Sequence, residues 1–179
     1  MAKPKNIYGL LAQFETPRDI FHACENVRDA GFKQWDAHTP FPVHGLDGAM
    51  GMRRSKLPFI VLVAGLTGAT LAFALQWWVS VEAQPIVIAG KPLFSWPAFV
   101  PVTFELAVLF GALGAVLGML GLNKLPQFYH SLFRSERFER VTDDKFFISI
   151  EAADPKFDLD GTTRFLQGLG ATHVEVVES

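Results

Sequence analysis

Cysteine is nearly absent from this sequence of 179 residues, and the single example is Cys24. One thiol excludes an internal disulfide, a CxxC redox pair, a thiolate cage for a metal ion and a CxxCH haem attachment. Cys24 falls on the apolar side of a predicted helix, so we expect a buried structural thiol rather than a reactive one.

Charge is also scarce: charged residues make up 19% of the chain, and the formal net charge is -2. Without a basic excess, the composition gives no case for nucleic acid as a partner. Hydrophobic residues account for 50% of the sequence, which is more than an ordinary soluble domain contains. The apolar residues must therefore be located along the chain.

Two long runs hold most of them. The run from Leu57 to Val79 contains no Asp, Glu, Lys, Arg or His, and the run from Phe99 to Leu122 contains one charged residue, Glu105. At about 1.5 Å per residue, either run is long enough to cross a hydrocarbon core about 30 Å thick. The sequence therefore predicts transmembrane helices at residues 57–79 and 99–122, joined by an extracytoplasmic loop at residues 80–98.

Basic residues flank these runs on one side. They are Arg53, Arg54 and Lys56 before the first run, and Lys124, Arg134, Arg137 and Arg140 after the second. The loop between the runs contains only one basic residue, Lys91. By the positive-inside rule, we expect both termini in the cytoplasm, with Trp77, Trp78 and Trp96 as interfacial anchors at the opposite ends of the helices.

The segments outside the membrane repeat one pattern. Residues 1–50 and residues 145–179 each predict a strand, a helix and a strand, from period-two and i, i+3, i+4 spacing of apolar residues. The first half contains strands at Ile7–Phe14 and Phe32–His38. Two such halves make an α+β membrane protein in which a transmembrane hairpin is inserted into a ferredoxin-like βαββαβ cytoplasmic domain. Residues 123–144 are predicted as a juxtamembrane linker or helix.

Glycines of the second span predict how the hairpin packs. At about 100° per residue, four of them share one arc of the helix and form one groove, which we expect to hold the first span through Gly65, Gly68 or Ala72. These residues are Gly111, Gly114, Gly118 and Gly121, with Gly65 and Gly68 as their counterparts. The alternative is that glycine is simply common in membrane helices.

Glu105 is the sharpest functional candidate, because a carboxylate within a span is energetically unfavourable and usually faces protein or water. It projects opposite the glycine arc, so we expect it to face another subunit if the arc holds the first span. A role in a proton pathway, a simple interhelical hydrogen bond and a snorkelling structural carboxylate all stay open.

The stretch AHTPFPVHG, Ala37 to Gly45, contains two histidines that could be metal ligands. His38 and His44 lack a third ligand nearby, and a protein zinc site needs three or four. The two prolines instead predict a stiff, extended connection after a strand. We therefore expect no metal and no cofactor bound by this chain.

The same stretch carries a family resemblance. Together with the run from Tyr8 to Phe14 (YGLLAQF) and the Ala30-Gly31-Phe32 turn, it resembles ActD, a small membrane component of bacterial alternative complex III, which is a quinol:electron acceptor oxidoreductase. The resemblance covers essentially the whole chain. It implies a bacterial inner membrane protein without a catalytic residue of its own. Haem c, iron-sulfur clusters and quinol are then expected in partner subunits, especially the polytopic ones.

Two classes of function remain at this level. The first is a non-catalytic accessory subunit that stabilises the complex, contacts membrane lipids and covers the cytoplasmic side of the polytopic subunits. The second is a stand-alone, membrane-anchored ligand sensor or regulator, for which the sequence offers no phosphate loop or metal motif. A third possibility makes Glu105 part of a proton pathway within the complex.

Overall fold

The computed structural model describes residues 7–179, so the first six residues of the predicted first half lie outside the described part. The elements in chain order are β1 (Ile7–Phe14), α1 (Pro17–Ala30), β2 (Trp35–His38), α2 (Leu46–Ala49), α3 (Leu57–Trp78), a π-helical turn (Val79–Ala83), α4 (Trp96–Leu122), two 3-10 helices (Ser131–Arg134 and Glu136–Thr142), β3 (Phe146–Glu151), α5 (Leu159–Gly168) and β4 (His173–Glu178). They form two compact units. The sheet unit comprises the chain up to Arg53 and Phe128–Ser179, and the hairpin unit comprises Arg54–Gln127.

The sheet unit is built on a four-stranded sheet in the order β2-β3-β1-β4, and every neighbouring pair is antiparallel. In the central pair, Leu10 lies opposite Ile150 and Ala12 lies opposite Ile148. Since alternate residues of a strand point to the same face, these pairs form one continuous apolar surface. The prediction of a mixed α/β protein that also contains two long apolar helices is confirmed.

Helices α1 and α5 cover that surface. Helix α1 begins where the Thr16 hydroxyl accepts a hydrogen bond from the Asp19 amide, and it ends at Gly31, whose φ of 82° is left-handed. The apolar side of α1 and Leu166 of α5 pack together with the sheet in one buried core. Cys24 is fully buried in this core, as predicted from its spacing.

The opposite face of the sheet has a cover of its own. Leu11, Phe147 and Val177 point to this face and are buried by Leu132 and Phe138 from the two 3-10 helices. The segment predicted as a juxtamembrane linker or helix therefore contains part of the sheet unit's packing. Three apolar side chains on a sheet face need such a cover to leave water.

Strand β2 is shorter than predicted, because it begins at Trp35 rather than at Phe32. The backbone amides of Lys33 and Gln34 donate to one carboxylate oxygen of Asp154, at 2.6 Å and 2.7 Å. The Lys156 amide donates to the other oxygen at 2.8 Å. These amides bind a side chain instead of a strand, so the ladder starts later.

The AHTPFPVHG stretch closes one end of the core. Phe41 packs edge-on against Phe146 with ring centroids 5.5 Å apart, and Val43 contacts the main core. Gly45 then takes a φ of 79°, which turns the chain into α2. The Arg28 guanidinium donates to the carbonyls that follow, so the predicted extended connection is also tied to α1.

The hairpin unit consists of two long apolar helices. α3 continues into the π-helical turn as far as Ala83, and α4 begins at Trp96 rather than at Phe99, with Pro97 in its first turn. Both are long and apolar enough to cross a membrane, and only 11% and 0% of their most apolar windows are buried. The core helix of a soluble protein would be mostly buried, which these are not.

Candidate functional site

Small residues bring α3 and α4 into close contact. A Cβ atom added to Gly68 would collide with the Leu106 carbonyl oxygen and lie 2.8 Å from the Phe110 Cβ. A Cβ added to Gly114 would lie 2.7 Å from the Ala64 Cβ. Since Cβ atoms do not approach so closely, only glycine allows these two backbones to lie at this distance.

The other glycines singled out in the sequence differ in their surroundings. A Cβ on Gly118 would lie 3.0 Å from Leu57, one on Gly65 would lie 3.5 Å from the Ala107 carbonyl oxygen, and one on Gly111 would lie 4.0 Å from Val61. Gly121 has no described atom within 4 Å of its Cβ position. The α3–α4 contact therefore uses the glycines of the arc before Gly121.

A polar contact joins the same helices. The Gln76 amide donates to the Phe99 carbonyl at 3.1 Å and to the Thr103 hydroxyl at 3.3 Å. It also donates to the Ala72 carbonyl of its own helix at 3.1 Å. Gln76 is not among the residues predicted from the sequence to join the helices. The available signal was a single amide side chain inside a run without charge, because such a group needs a hydrogen-bond partner in a membrane.

Aromatic rings collect where α3 ends and α4 begins. Phe73, Phe94 and Phe99 pack edge-on in a triangle, with centroids 5.8 to 6.1 Å apart. The three tryptophans predicted as anchors lie in the same part of the hairpin, and each is exposed. They are Trp77, Trp78 and Trp96. Exposed indole rings at a helix end suit the headgroup level of a bilayer.

Glu105 lies on the side of α4 that α3 does not touch. The residues that contact α3, among them Leu106, Phe110 and Gly114, centre on a direction about 180° around the helix from Glu105 at about 100° per residue. The Glu105 side chain is exposed. Within residues 7–179, no side chain or backbone group forms a hydrogen bond or ion pair with its carboxylate.

Because α4 begins at Trp96 rather than at Phe99, Glu105 lies farther from the start of the helix than the apolar run alone indicated. The residue lies about 14 Å along the axis from Trp96, and about 6 Å from the middle of the helix. Pro101 lies one turn before it and has no amide hydrogen, so the Pro97 carbonyl loses its helical donor on the same side of α4. A backbone carbonyl without its usual i+4 donor therefore lies near the Glu105 carboxylate.

The sheet unit contains a second group of polar side chains, on the face covered by the 3-10 helices. The Tyr8 hydroxyl lies 3.3 Å from the His130 Nε2 and donates to Glu151 at 3.5 Å, and the Leu132 amide donates to the His130 Nδ1. His130 thus holds the start of the first 3-10 helix. Burial and then the nearby Glu151 carboxylate raise the pKa of Tyr8 to about 12, so this hydroxyl keeps its proton.

His38 of β2 lies in the same layer. Its Nε2 is 3.1 Å from the Ser149 hydroxyl, and its ring packs edge-on against Phe138. Burial lowers the pKa of His38, the Asp36 carboxylate opposes this shift, and His130 adds to it. A neutral imidazole that bonds to a hydroxyl is consistent with a structural role in this layer.

Metal and thiol chemistry find little support in the described part of the chain. His44, the second histidine of the AHTPFPVHG stretch, is exposed, and no group of three or more His, Cys, Asp or Glu residues is arranged to hold a metal ion there. Burial raises the pKa of the Cys24 thiol to about 12. A buried, protonated thiol is a poor nucleophile.

Comparison with known proteins adds one finding. A family model described as Alternative complex III, ActD subunit, matches residues 8–176, which is nearly the whole chain. No curated protein matches the sequence. The family match confirms the resemblance drawn from the YGLLAQF and AHTPFPVHG stretches.

Proposed function

The chain belongs to the family of ActD subunits of alternative complex III, an oxidoreductase complex of electron transport, and from this membership we propose that it is a non-catalytic accessory membrane subunit. In this role it stabilises the assembly and covers the cytoplasmic side of the polytopic subunits. Haem c, iron-sulfur clusters and quinol would be held by its partners. The chain itself would supply contacts rather than redox chemistry.

The position of Glu105 is the observation that carries this proposal. The two helices use their glycines and Gln76 to pack on each other, and they leave the only charged residue of the α4 helix on the outside. A carboxylate in that place is unfavourable against lipid, at about 2.5 to 3.5 kcal/mol for a central position. A neighbouring protein that accepts this side chain removes the penalty.

We also propose the finer arrangement expected from the sequence. The antiparallel order β2-β3-β1-β4, with α1 and α5 packed on one face, supports a ferredoxin-like βαββαβ sandwich. The basic residues beside the spans support cytoplasmic termini in a bacterial inner membrane. In this orientation the sheet unit lies on the cytoplasmic side, and the exposed tryptophans lie at the opposite interface.

The experiment that tests the proposed function is extraction of native membranes in mild detergent. Native electrophoresis with haem staining and mass spectrometry then identifies the band that contains this chain. We expect it to migrate with c-type haem and iron-sulfur subunits in a band that oxidises quinol. A small, haem-free band in every detergent would contradict the proposal and favour the stand-alone sensor.

A contribution of Glu105 to proton transfer is the second candidate function. It is favoured by the same observation, since an ionisable group without a partner inside the hairpin is available for a relay. In that case Glu105→Gln slows coupled turnover and proton uptake while the yield of the complex stays unchanged. Unchanged turnover and proton uptake would remove this candidate.

A further inference from the structure

We propose that one face of α4 docks against a transmembrane helix of a neighbouring subunit and that this helix presents a cationic side chain to Glu105. The Glu105 face comprises Pro101, Glu105, Val108, Ala112 and Val116, which repeat every three or four residues along one side of the helix. This inference rests on the proposed function. It adds the chemistry of the partner and the surface of this chain that binds it.

The Glu105 carboxylate cannot reach water along the helix. Glu105 lies about 14 Å from the beginning of α4, whereas a glutamate side chain extends only about 5 Å from the backbone. The neighbouring residues on the Glu105 face are apolar and exposed: the exposed fraction is 54% for Val108 and 53% for Val116. The carboxylate therefore needs a partner at its own depth.

The hairpin does not supply a cationic partner for Glu105 from its own helices. The basic residues of the hairpin unit stand outside its helices, in the connecting loop or beyond the ends: they are Arg54, Lys56, Lys91 and Lys124. Gln76, the polar residue that joins the helices, is occupied on the α3 side of α4. The donor must come from another molecule.

The charge of Glu105 favours a cationic side chain on the docked helix. The polar group of the Glu105 face is an acceptor, the carboxylate, and the nearby Pro97 carbonyl lacks its i+4 donor because Pro101 has no amide hydrogen. An arginine or lysine has donors and no acceptor, so its chemistry is complementary. A second copy docked through the same face would instead bring two Glu105 carboxylates together, which is unfavourable.

The shape of the Glu105 face also favours contact with a helix. Ala112 lies between Val108 and Val116, so the face has a short side chain flanked by two branched ones. Faces of this kind allow a neighbouring helix to approach closely, and close approach is what stabilises helix pairs in lipid. The adjoining sides of α4 carry bulky exposed residues instead, such as Phe104 at 67% and Leu117 at 64%.

The test compares Glu105→Gln, Glu105→Lys and Glu105→Asp with a matched control, Glu82→Gln. Glu82 is an exposed carboxylate of the π-helical turn in the same hairpin. Each tagged variant is extracted from native membranes, and the c-type haem recovered per copy of this chain is measured. Normalising to the recovered chain separates loss of binding from poor expression.

We expect Glu105→Gln to lower the haem recovered per chain about tenfold, because the partner's cation is left buried without its counter-charge. Glu105→Lys should lower it at least as far, Glu105→Asp should retain more than Glu105→Gln, and Glu82→Gln should match the wild type. Equal recovery with Glu105→Gln and Glu82→Gln would overturn the inference. Slower turnover at unchanged recovery would also overturn it and favour the proton pathway.

Two further results separate this inference from the proposed function. If the wild-type chain recovers no haem in any detergent, the accessory-subunit function fails, whatever the variants do. If two differently tagged copies of the chain purify together and Glu105→Gln separates them, the occupant is a second copy and the cationic partner is wrong.

Discussion

The sheet unit and the hairpin unit differ in how fully their polar side chains are hydrogen-bonded within the chain. In the sheet unit the Asp154 carboxylate receives three backbone amides, and Tyr8 and His38 have partners within the chain. One buried side-chain atom among the described residues, the Gln13 Oε1, lacks a hydrogen bond. In the hairpin unit, Gln76 is satisfied but Glu105 is not. The sheet unit thus pairs nearly all of its buried polar side chains within the chain, whereas the Glu105 carboxylate has no hydrogen-bond partner among residues 7–179.

The largest effect is expected where the hairpin's own packing is broken. Gly68→Leu places a side chain against the Leu106 backbone carbonyl, which can move only if the whole helix moves. We expect the α3–α4 pair to separate, with a loss of about 3 kcal/mol or more, measured as heat-induced unfolding in detergent. Gly121→Leu is the control, and an equal loss with that variant would contradict the described contact.

The next effect concerns the internal pairing of the sheet unit. Asp154→Ala leaves the amides of Lys33, Gln34 and Lys156 without their acceptor in a site that is 1% exposed. We expect a loss of about 3 kcal/mol of unfolding free energy, measured by chemical denaturation of the full chain in detergent. Asp143→Ala, at an exposed carboxylate, should cost little, and similar losses from both would refute the role of Asp154.

Acid should act through the same carboxylate. Although burial raises the pKa of Asp154, the amides of Gln34, Lys156 and Lys33 hold it below its ordinary value. The unfolded chain therefore binds the proton more readily, and the stability from this site is present above about pH 4 and is lost as pH falls further. A pH titration of unfolding should show this fall in the wild type and a weaker one in Asp154→Asn.

A smaller effect is expected from the polar contact within the hairpin. Gln76→Leu removes the hydrogen bonds to Phe99 and Thr103 but keeps the side-chain volume. Such bonds in membranes contribute about 0.6 to 1.7 kcal/mol, so we expect a loss of about 1 kcal/mol in helix-pair stability. Thr67→Val is the control, because that hydroxyl bonds only to its own helix. A gain in stability with Gln76→Leu would refute the contact.

The smallest effect is a pH dependence of the layer beneath the 3-10 helices. Burial lowers the pKa of His38, so the unfolded chain takes up its proton first as pH falls. The stability that the neutral ring contributes is present above about pH 6.5 and is lost at lower pH. In the wild type we expect the unfolding free energy to fall between about pH 7 and pH 5, and this fall should be less steep in His38→Gln. His22→Gln is the control, because it alters an exposed histidine, and it should behave like the wild type.

The parts of the fold that follow from local spacing were predictable. Strand Ile7–Phe14 has the predicted bounds, and Thr16 and Gly31 delimit the helix between them, because capping and left-handed φ depend on single residues. The burial of Cys24 and the resemblance to a known family could also be predicted from the sequence. The outward direction of Glu105 also followed from its rotation about the helix.

The remainder depends on contacts between distant segments. The Asp154 carboxylate accepts hydrogen bonds from the amides of Lys33 and Gln34, more than a hundred residues earlier. No local sequence pattern predicts such a contact. The 3-10 helices have no period of apolar residues long enough to reveal the face they cover. Gln76 was overlooked because one amide does not interrupt an apolar run.

Photo-crosslinking along α4 in native membranes tests the central claim, that the hairpin is completed by another protein at the Glu105 face, most directly. A photoreactive residue is placed in turn at Phe104, Val108, Ala112, Val116 and Leu117. We predict adducts with one other subunit of alternative complex III at Val108, Ala112 and Val116, and lipid adducts at the two flanking positions, about 100° or more away. Protein adducts without this periodicity, or lipid adducts at all five positions, would contradict it.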